Sequence, residues 1–419
     1  MYYFCLILLI IGALLEFNYH KTNKWIFGLA VLVVFGMLCL RYGQGTDYFS
    51  YYEHFRAIDR YLDNGGDFWG LVLRNVIDVH GETGWIFVLA VCSRYFSFVQ
   101  TVFIISIVSS VLYFRFIVKY CQYKSMALLL MYPTVILSAT FGTIRQGLAM
   151  AIFMGLVYGY YMEKKYIKFV IGVSVCSLLH AGCIILLLIY VPNVMKSDSF
   201  YNVLNIFCWS VGIGLSVPML KSFLTRVLPY AVSYYIPSSN FSYAAIIIRL
   251  SMMAVIWYCY KIIKKYKPNL LWQKWYQFFM LGAATYGLFC FSGFIASRLM
   301  HLYYFAAILL VSNVLPGLSN RLTEVDKEIL MINGYNSANG LERLKKRDSR
   351  QLFVIITMYL ILIFFTHVRA FLSQGDYYDK GLFSYPYISV FNSEDRFKYG
   401  PMDEVCRTPI TTEQLFEMD

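Results

Sequence analysis

Four short polar segments interrupt an otherwise apolar sequence, at residues 41–48, 143–149, 177–182 and 297–304. They carry arginine, aspartate, histidine, glutamine and tyrosine. Charged side chains at a membrane are costly and usually mark a function, although snorkelling at a helix end is the common alternative. Guanidinium groups bind anionic oxygens through a planar fork, and imidazole accepts protons near neutral pH. Together these residue types indicate a site that binds an anionic group and moves a proton.

The first segment reads RYGQGTDY and follows directly after an apolar run. Its two glycines permit an unusual backbone turn and close approach of a ligand. We expect Arg41 and Tyr48 to contact the ligand, with Asp47 between them. The alternative is an interfacial arginine followed by an aromatic belt, but outer helix ends are poor in Lys and Arg under the positive-inside rule.

Three further arginines lie where predicted membrane spans begin or end. Arg145 and Gln146 occupy a tight turn and offer a fork for an anionic oxygen plus an amide. Arg298 lies in another turn, with Tyr303 after it, and Arg249 lies early in a predicted span. A simple anchor for the helix end is the alternative reading of each arginine.

His180 lies in the middle of an apolar run, in the sequence SLLHAG. A lone histidine in such a run is usually a structural residue with satisfied hydrogen bonds. A buried neutral imidazole also serves as a general base or binds a sugar hydroxyl. Both readings stay open at this point.

The overall composition is that of a membrane protein. Of the 419 residues, 59% are hydrophobic and only 14% are charged, whereas a soluble domain has about 25% charged residues. The net charge of +12 fits cytoplasmic loops better than nucleic-acid binding. No CxxC pair, phosphate-binding loop, H-E-x-x-H or G-x-S-x-G motif is present. We therefore expect no cofactor, no metal ion and no nucleotide.

The apolar runs predict an all-α polytopic integral membrane protein with about 10–12 transmembrane helices, forming a single membrane domain over residues 1–419. Basic loops lie on the cytoplasmic side of bacterial membrane proteins. This rule places residues 41–98 outside, the loop 316–351 in the cytoplasm and the tail 369–419 outside. The predicted spans lie near residues 1–17, 25–40, 99–118, 126–143, 147–162, 168–191, 202–220, 243–260, 275–293, 299–315 and 352–368.

The segment 168–191 is predicted to be re-entrant or broken. If it crossed the membrane once, the basic run 261–267 would fall outside, against the positive-inside rule. Two short helices with a break near His180 return every basic run to the cytoplasm. Broken helices are tolerated at membrane depth only where protein buries them or they line a cavity. The break itself therefore indicates a site.

All four arginines map to the outer face in this topology. Converging arginines suit a diphosphate or a carboxylate, and tyrosine-rich external segments suit sugar rings. The residues together indicate an anionic, lipid-linked sugar.

The polar segments resemble the EpsG-like branch of Wzy-type polysaccharide polymerases. The resemblance rests on RYGxGTDY from Arg41, RQGLA from Arg145, LHA around His180, and Arg298 with a following tyrosine, all in order. A late Pro-Tyr element matches Tyr387 and the proline before it. The resemblance covers roughly residues 1–390, and position 182 is Gly where the family pattern favours Ser.

The resemblance implies a membrane glycosyltransferase that polymerises undecaprenyl-diphosphate-linked repeat units into O-antigen, capsule or exopolysaccharide. The reaction would occur at the outer face of a bacterial inner membrane, without a metal ion or nucleotide. Arg41, Arg145 and Arg298 would stabilise the leaving diphosphate, and Asp47 and His180 are rival bases. Expected partners are the lipid-linked substrate, membrane lipids, a chain-length regulator and a flippase, and no nucleic acid.

Two other functions remain as alternatives. A lipid-linked oligosaccharide flippase or other transporter would share the composition and the cationic cavity, but needs no base and usually shows internal repeats. A different membrane transferase, such as an O-antigen ligase or an acyltransferase, is the second. Ligases of this kind carry a large external loop late in the chain, whereas the larger loop here is early, at 41–98.

Overall fold

The computed structural model describes residues 1–45, 47–79, 81–193, 199–220, 242–266, 269–319, 338–368, 371, 387 and 389–391, and all structural statements refer to these residues. This part of the chain contains sixteen α-helices and no β-strand. The helices are α1 Tyr2–Tyr19, α2 Lys24–Cys39, α3 Tyr48–Asp63, α4 Phe68–Arg74, α5 Thr83–Ser93, α6 Phe98–Tyr120, α7 Lys124–Met131, α8 Ile144–Ile152, α9 Tyr158–Met162, α10 Tyr166–Leu179, α11 Phe200–Ser216, α12 Tyr243–Tyr266, α13 Leu270–Leu288, α14 Gly293–His301, α15 Tyr304–Ser319 and α16 Ala338–Ile363.

The helices are those of an all-α polytopic membrane protein, which confirms the fold class predicted from hydropathy. Among the described residues, five helical stretches are long and apolar enough to cross a membrane, and the pair α14–α15, bent by 47°, makes a sixth. Further apolar helices are shorter, at 10–17 residues. The five long stretches are Tyr2–Tyr19, Phe98–Tyr120, Lys124–Phe141, Tyr243–Tyr266 and Lys345–Val368.

Three of the helices continue as π-helices. Helix α7 does so over Tyr132–Phe141, α8 over Phe153–Val157, and α16 over Phe364–Val368. Pro133 lacks the N–H of a regular helix, and the Ser138 hydroxyl donates to its carbonyl at 2.7 Å. Such π segments often accompany functional sites. The π-helix over Tyr132–Phe141 ends immediately before the turn that carries Arg145.

The predicted break near 168–191 is present. Helix α10 ends at Leu179, His180 is extended with φ −152° and ψ 107°, and a 3₁₀ helix runs over Ala181–Asn193. The ring of Tyr190 packs on Phe169 at 5.1 Å. Because Phe169 lies in the first turn of α10, the chain enters the membrane region and returns as a hairpin.

The hairpin brings the basic segments to one end of the molecule. The Lys274 ammonium lies 5.4 Å above the ring of Tyr161, just before the basic turn 163–165. Trp275 also donates its ring N–H to Tyr158 at 2.8 Å. The basic end of α12, residues 261–266, therefore lies at the same end as the turn 163–165, as the charge pattern requires.

One buried acid at this end is structural. The Glu16 carboxylate accepts from the backbone N–H groups of Ser125 and Met126 at 2.8 and 2.9 Å. These are orphan donors of the first turn of α7. Glu16 thus caps a neighbouring helix and joins α1 to α7.

Two long polar segments are only partly described. Within the loop predicted at 316–351, residues 320–337 lie outside the described residues, and residues from 338 onward are helical because α16 begins fourteen residues before the predicted span. Most of the tail 369–419 also lies outside them. Its Val390 N–H donates to the Leu40 carbonyl at 2.9 Å, so the tail contacts the end of α2.

Candidate active site

An aspartate and an arginine from distant parts of the chain form the first contact of the site. Asp47 precedes α3, and Arg298 lies in the last turn of α14, beside the 47° bend. The Arg298 Nη2 atom lies 3.3 Å from Asp47 Oδ2, and both side chains are about one-fifth exposed. Tyr51, one turn into α3, donates its hydroxyl to the same Asp47 oxygen at 3.4 Å. Two donors thus hold the carboxylate.

A second arginine continues this contact. Arg145 donates from Nε to the Tyr51 hydroxyl oxygen at 3.0 Å and from Nη1 to Glu82 Oε2. Burial, more than the charge of Asp47, raises the pKa of Tyr51 to about 12, so its phenol stays neutral and keeps a proton for Asp47. Arg298, Asp47, Tyr51, Arg145 and Glu82 therefore form one continuous hydrogen-bonded chain, here named the five-residue network.

Glu82 connects the network to the broken helix. Its Oε1 atom accepts the backbone N–H of Ala181 at 2.9 Å and lies 3.8 Å from Nδ1 of His180. The second distance is too long for a hydrogen bond, but it places a negative charge beside the imidazole. A Cβ atom on Gly182 would lie 3.1 Å from the imidazole Nε2. The glycine at this position thus gives the histidine ring its space.

Two close approaches fix the segments that carry the network. Gly45 has φ +108°, and a Cβ atom there would lie 1.8 Å from the Phe141 carbonyl oxygen, so only glycine lets the 41–47 segment press on the π-helix. Gln146 is buried and donates to the Arg298 carbonyl at 2.7 Å. Gln146 therefore joins the first turn of α8 to α14 and positions both arginines.

The comparison with known families matches the segments that build this site. A model of the EpsG family matches residues 24–325, well over half of the chain. The chain belongs to the EpsG family. Searches of curated proteins and of solved structures returned no match. The match to the EpsG family runs from the start of α2 past the end of α15, so it includes every residue of the network.

Three residues predicted to bind substrate have structural contacts in this member of the EpsG family. The Arg41 guanidinium is buried, lies 4.5 Å above the Phe141 ring, and its backbone pairs with Ser389. The Tyr48 ring packs against Phe98. Tyr303 is buried and donates to the Ile185 carbonyl at 2.6 Å, which holds the returning 3₁₀ helix. None of the three belongs to the five-residue network.

Arg249 lies in a second polar cluster. It is 6% exposed, its guanidinium lies 4.8 Å above the Tyr286 ring, and Nη1 is 3.9 Å from the Met252 sulfur. Its Nε has no hydrogen-bond partner among the described residues. Arg145 and Arg298 each pair with a carboxylate, whereas Arg249 forms no ion pair with a described residue.

Two histidines complete this second cluster. The rings of His301 and His367 lie 5.1 Å apart, and His367 contacts the hydroxyls of Tyr304 and Ser138 at 3.0 and 3.1 Å. Arg249 is close enough for its positive charge to interact with both imidazoles, and the charge of Arg298 interacts with His301. The cluster therefore adjoins the network. The sequence patterns pointed to the segment that carries His301 and Tyr304 but not to His367.

No described group of three or more His, Cys, Asp or Glu side chains is arranged to hold a metal ion. The nine described cysteines are all free thiols, and most are buried. Cys406 lies outside the described residues.

Proposed function

We propose that this EpsG family protein polymerises oligosaccharide repeat units carried on undecaprenyl diphosphate, by glycosyl transfer at the outer face of a bacterial inner membrane. The product would be O-antigen, capsule or exopolysaccharide. The observation that carries the proposal is the five-residue network at a broken helix, inside the segment that matches the family. It combines arginines for a leaving diphosphate with groups that accept a proton.

In the proposed reaction, the bond from the sugar C1 to the diphosphate oxygen breaks and the diphosphate leaves with the electron pair. A hydroxyl of the next repeat unit forms the new bond to C1, and its proton passes to a base. Arg145 and Arg298 stabilise the growing negative charge. Each keeps N–H groups that make no hydrogen bond to a described residue, on Nη2 of Arg145 and Nη1 of Arg298.

His180 is the favoured base in this proposal, rather than Asp47. The Oδ2 atom of Asp47 already accepts hydrogen bonds from Arg298 and Tyr51, so this oxygen is occupied within the network. The imidazole of His180 makes no side-chain hydrogen bond to a described residue, and Glu82 would stabilise the imidazolium formed on proton transfer. Glu82 is then a positioning residue for both His180 and Arg145.

The charge pattern supports the location. The network lies at the end of the helices opposite the basic residues at 163–165, 261–266 and Lys274, and basic loops face the cytoplasm. The site would then face the periplasm or the cell exterior. A flippase that delivers the repeat units and a chain-length regulator are the proposed partners, together with membrane lipids.

The test is the surface-polysaccharide ladder of a deletion strain complemented with wild type, Arg145→Ala, His180→Ala or Asp47→Ala at matched protein levels. We expect single repeat units in the deletion strain and wild-type amounts of polymer only with wild type. His180→Ala should lose polymer more completely than Asp47→Ala. If the deletion prevents even single units from reaching the outer face, the protein is a flippase and the proposal is overturned.

A further inference from the structure

A groove with purely apolar walls lies among helices α5, α6, α8 and α10. Its volume is about 490 Å³, and glycine and hydrophobic side chains form its whole lining. Several of these side chains are exposed, at 43% for Phe87, 42% for Val108 and 52% for Leu178. Helix α6 is long and apolar enough to cross a membrane, and α5 and α10 are shorter apolar helices, so we place the exposed side of the groove against lipid.

One end of the groove adjoins the five-residue network. Gly84 lines the groove two residues after Glu82, and Leu148 lines it one helical turn after Arg145. Leu179 lines it directly before His180. A Cβ atom on Gly84 would lie 2.7 Å from the Leu178 carbonyl oxygen, so α5 and α10 touch here. An apolar path from the bilayer therefore ends beside a partly exposed arginine.

We propose that this groove holds the first isoprene units of the polyprenyl chain of the lipid-linked substrate, with the diphosphate at Arg145. The inference rests on the proposed function for the kind of lipid. Charge complementarity carries it, because an arginine at the end of an apolar groove matches an amphiphile with an anionic head and a long apolar chain. The groove lining has no polar side chain for a sugar or a headgroup.

The placement has a consequence for the reaction. An isoprenoid chain in the groove approaches from the side of α5 and α10, so the diphosphate lies between the membrane and His180. The sugar then extends away from the lipid, towards Asp47 and Arg298 across the network. The chain in this groove is thus proposed to belong to the donor, whose diphosphate leaves.

Photo-crosslinking tests the groove directly. The full-length protein in nanodiscs is illuminated with undecaprenyl diphosphate that carries a diazirine near the diphosphate end, and labelled peptides are mapped. We expect labels on α5, α6 and α10. Val108→Trp fills the groove and should lower labelling about tenfold, the effect of removing roughly two methylene contacts. Val111→Trp is the matched control, since Val111 lies one turn along the same helix and outside the groove lining.

The groove is refuted if Val108→Trp labels as well as Val111→Trp, or if a diazirine phosphatidylglycerol labels the same peptides equally. Should Val108→Trp not be monodisperse in detergent, Val108→Phe gives a smaller obstruction for the same measurement. The polymerase proposal fails separately: groove labelling in a protein that makes no polymer keeps the groove and overturns the function. Polymer formation without groove labelling keeps the proposed function and overturns the groove.

Discussion

Replacing Glu82 with glutamine tests the network at the residue that connects it to the broken helix. The change keeps the shape of the side chain and removes its charge. Glu82 accepts from Arg145 with one oxygen and from the Ala181 N–H with the other. Glutamine has a single oxygen, so its NH₂ group must face one of these two donors. The variant therefore leaves one donor without an acceptor and leaves Arg145 without its countercharge.

The size of the effect follows from burial. A buried donor that loses its partner costs about 1–3 kcal/mol. Breaking a fully buried ion pair costs about 3–5 kcal/mol, but this pair keeps some solvent contact, with side-chain exposures of 11% for Arg145 and 23% for Glu82. We therefore expect about 2 kcal/mol. If this free energy is lost from the stabilisation of the transition state by Arg145 and His180, kcat/KM drops about thirtyfold.

The assay is polymer formation by purified protein with lipid-linked repeat units, at protein amounts matched by size-exclusion chromatography. Glu163→Gln is the control, because Glu163 also pairs with a cation, Lys165 at 2.6 Å, but lies in the exposed turn at the other end of the molecule. We expect wild-type activity from this control. If Glu82→Gln also keeps wild-type kcat/KM, the network does not position the reacting groups and the reasoning is wrong.

Three further changes test other parts of the site. Tyr51→Phe removes the hydroxyl that links the two ion pairs and should lower polymerisation about tenfold, at roughly 0.5–1.5 kcal/mol for each of two hydrogen bonds. Because burial raises the pKa of Tyr51 to about 12, the phenol stays neutral below that pH, and wild-type activity should show no titration of this group below about pH 10. Gly45→Ala should lower the melting temperature far more than Gly65→Ala, because both glycines have positive φ but only Gly45 lies against backbone, at the Phe141 carbonyl; equal melting temperatures would refute the close approach. Arg249→Met should leave the melting temperature unchanged or higher, because it removes a buried charge that has no described carboxylate partner. A large fall in melting temperature would show that the arginine is structural.

Five of the predicted spans, a sixth at the bent pair α14–α15, and the helix break have counterparts among the described residues, because they follow from one-dimensional signals. Apolar length locates the spans, and the two basic runs at 163–165 and 261–267 demand the same side, which forces the hairpin at His180. The π-helix over Tyr132–Phe141 could not be predicted in this way. It changes the hydrogen-bond register without changing hydropathy. The early start of α16 at Ala338 could not be predicted either, because its first turns are polar and hydropathy locates only the apolar part of a helix.

The candidate site was only partly accessible from the sequence. Asp47, Arg145, His180 and Arg298 stand out because each is polar beside apolar neighbours, and the structure brings them to one network. Glu82 does not stand out, because the external segment 41–98 has several other acids and the partners of Glu82 come from tertiary packing.

A usable signal did exist for one network residue. Tyr51 lies four residues after Asp47, the spacing that places two side chains on one face of a helix, whereas Tyr48 follows Asp47 directly. The helical reading therefore favours Tyr51 as the partner of Asp47, as the structure has it.

The break at His180 and the chemistry of the site depend on the same carboxylate. A helix break inside a membrane frees carbonyl groups where one helix ends and N–H groups where the next helix begins, and each costs several kcal/mol if it stays unpaired. Glu82 accepts one such group at Ala181 while it also holds Arg145. A residue that stabilises the break cannot be lost without moving the imidazole that the break presents. We therefore expect changes at Glu82 to lower catalysis more than its distance of 3.8 Å from the imidazole suggests.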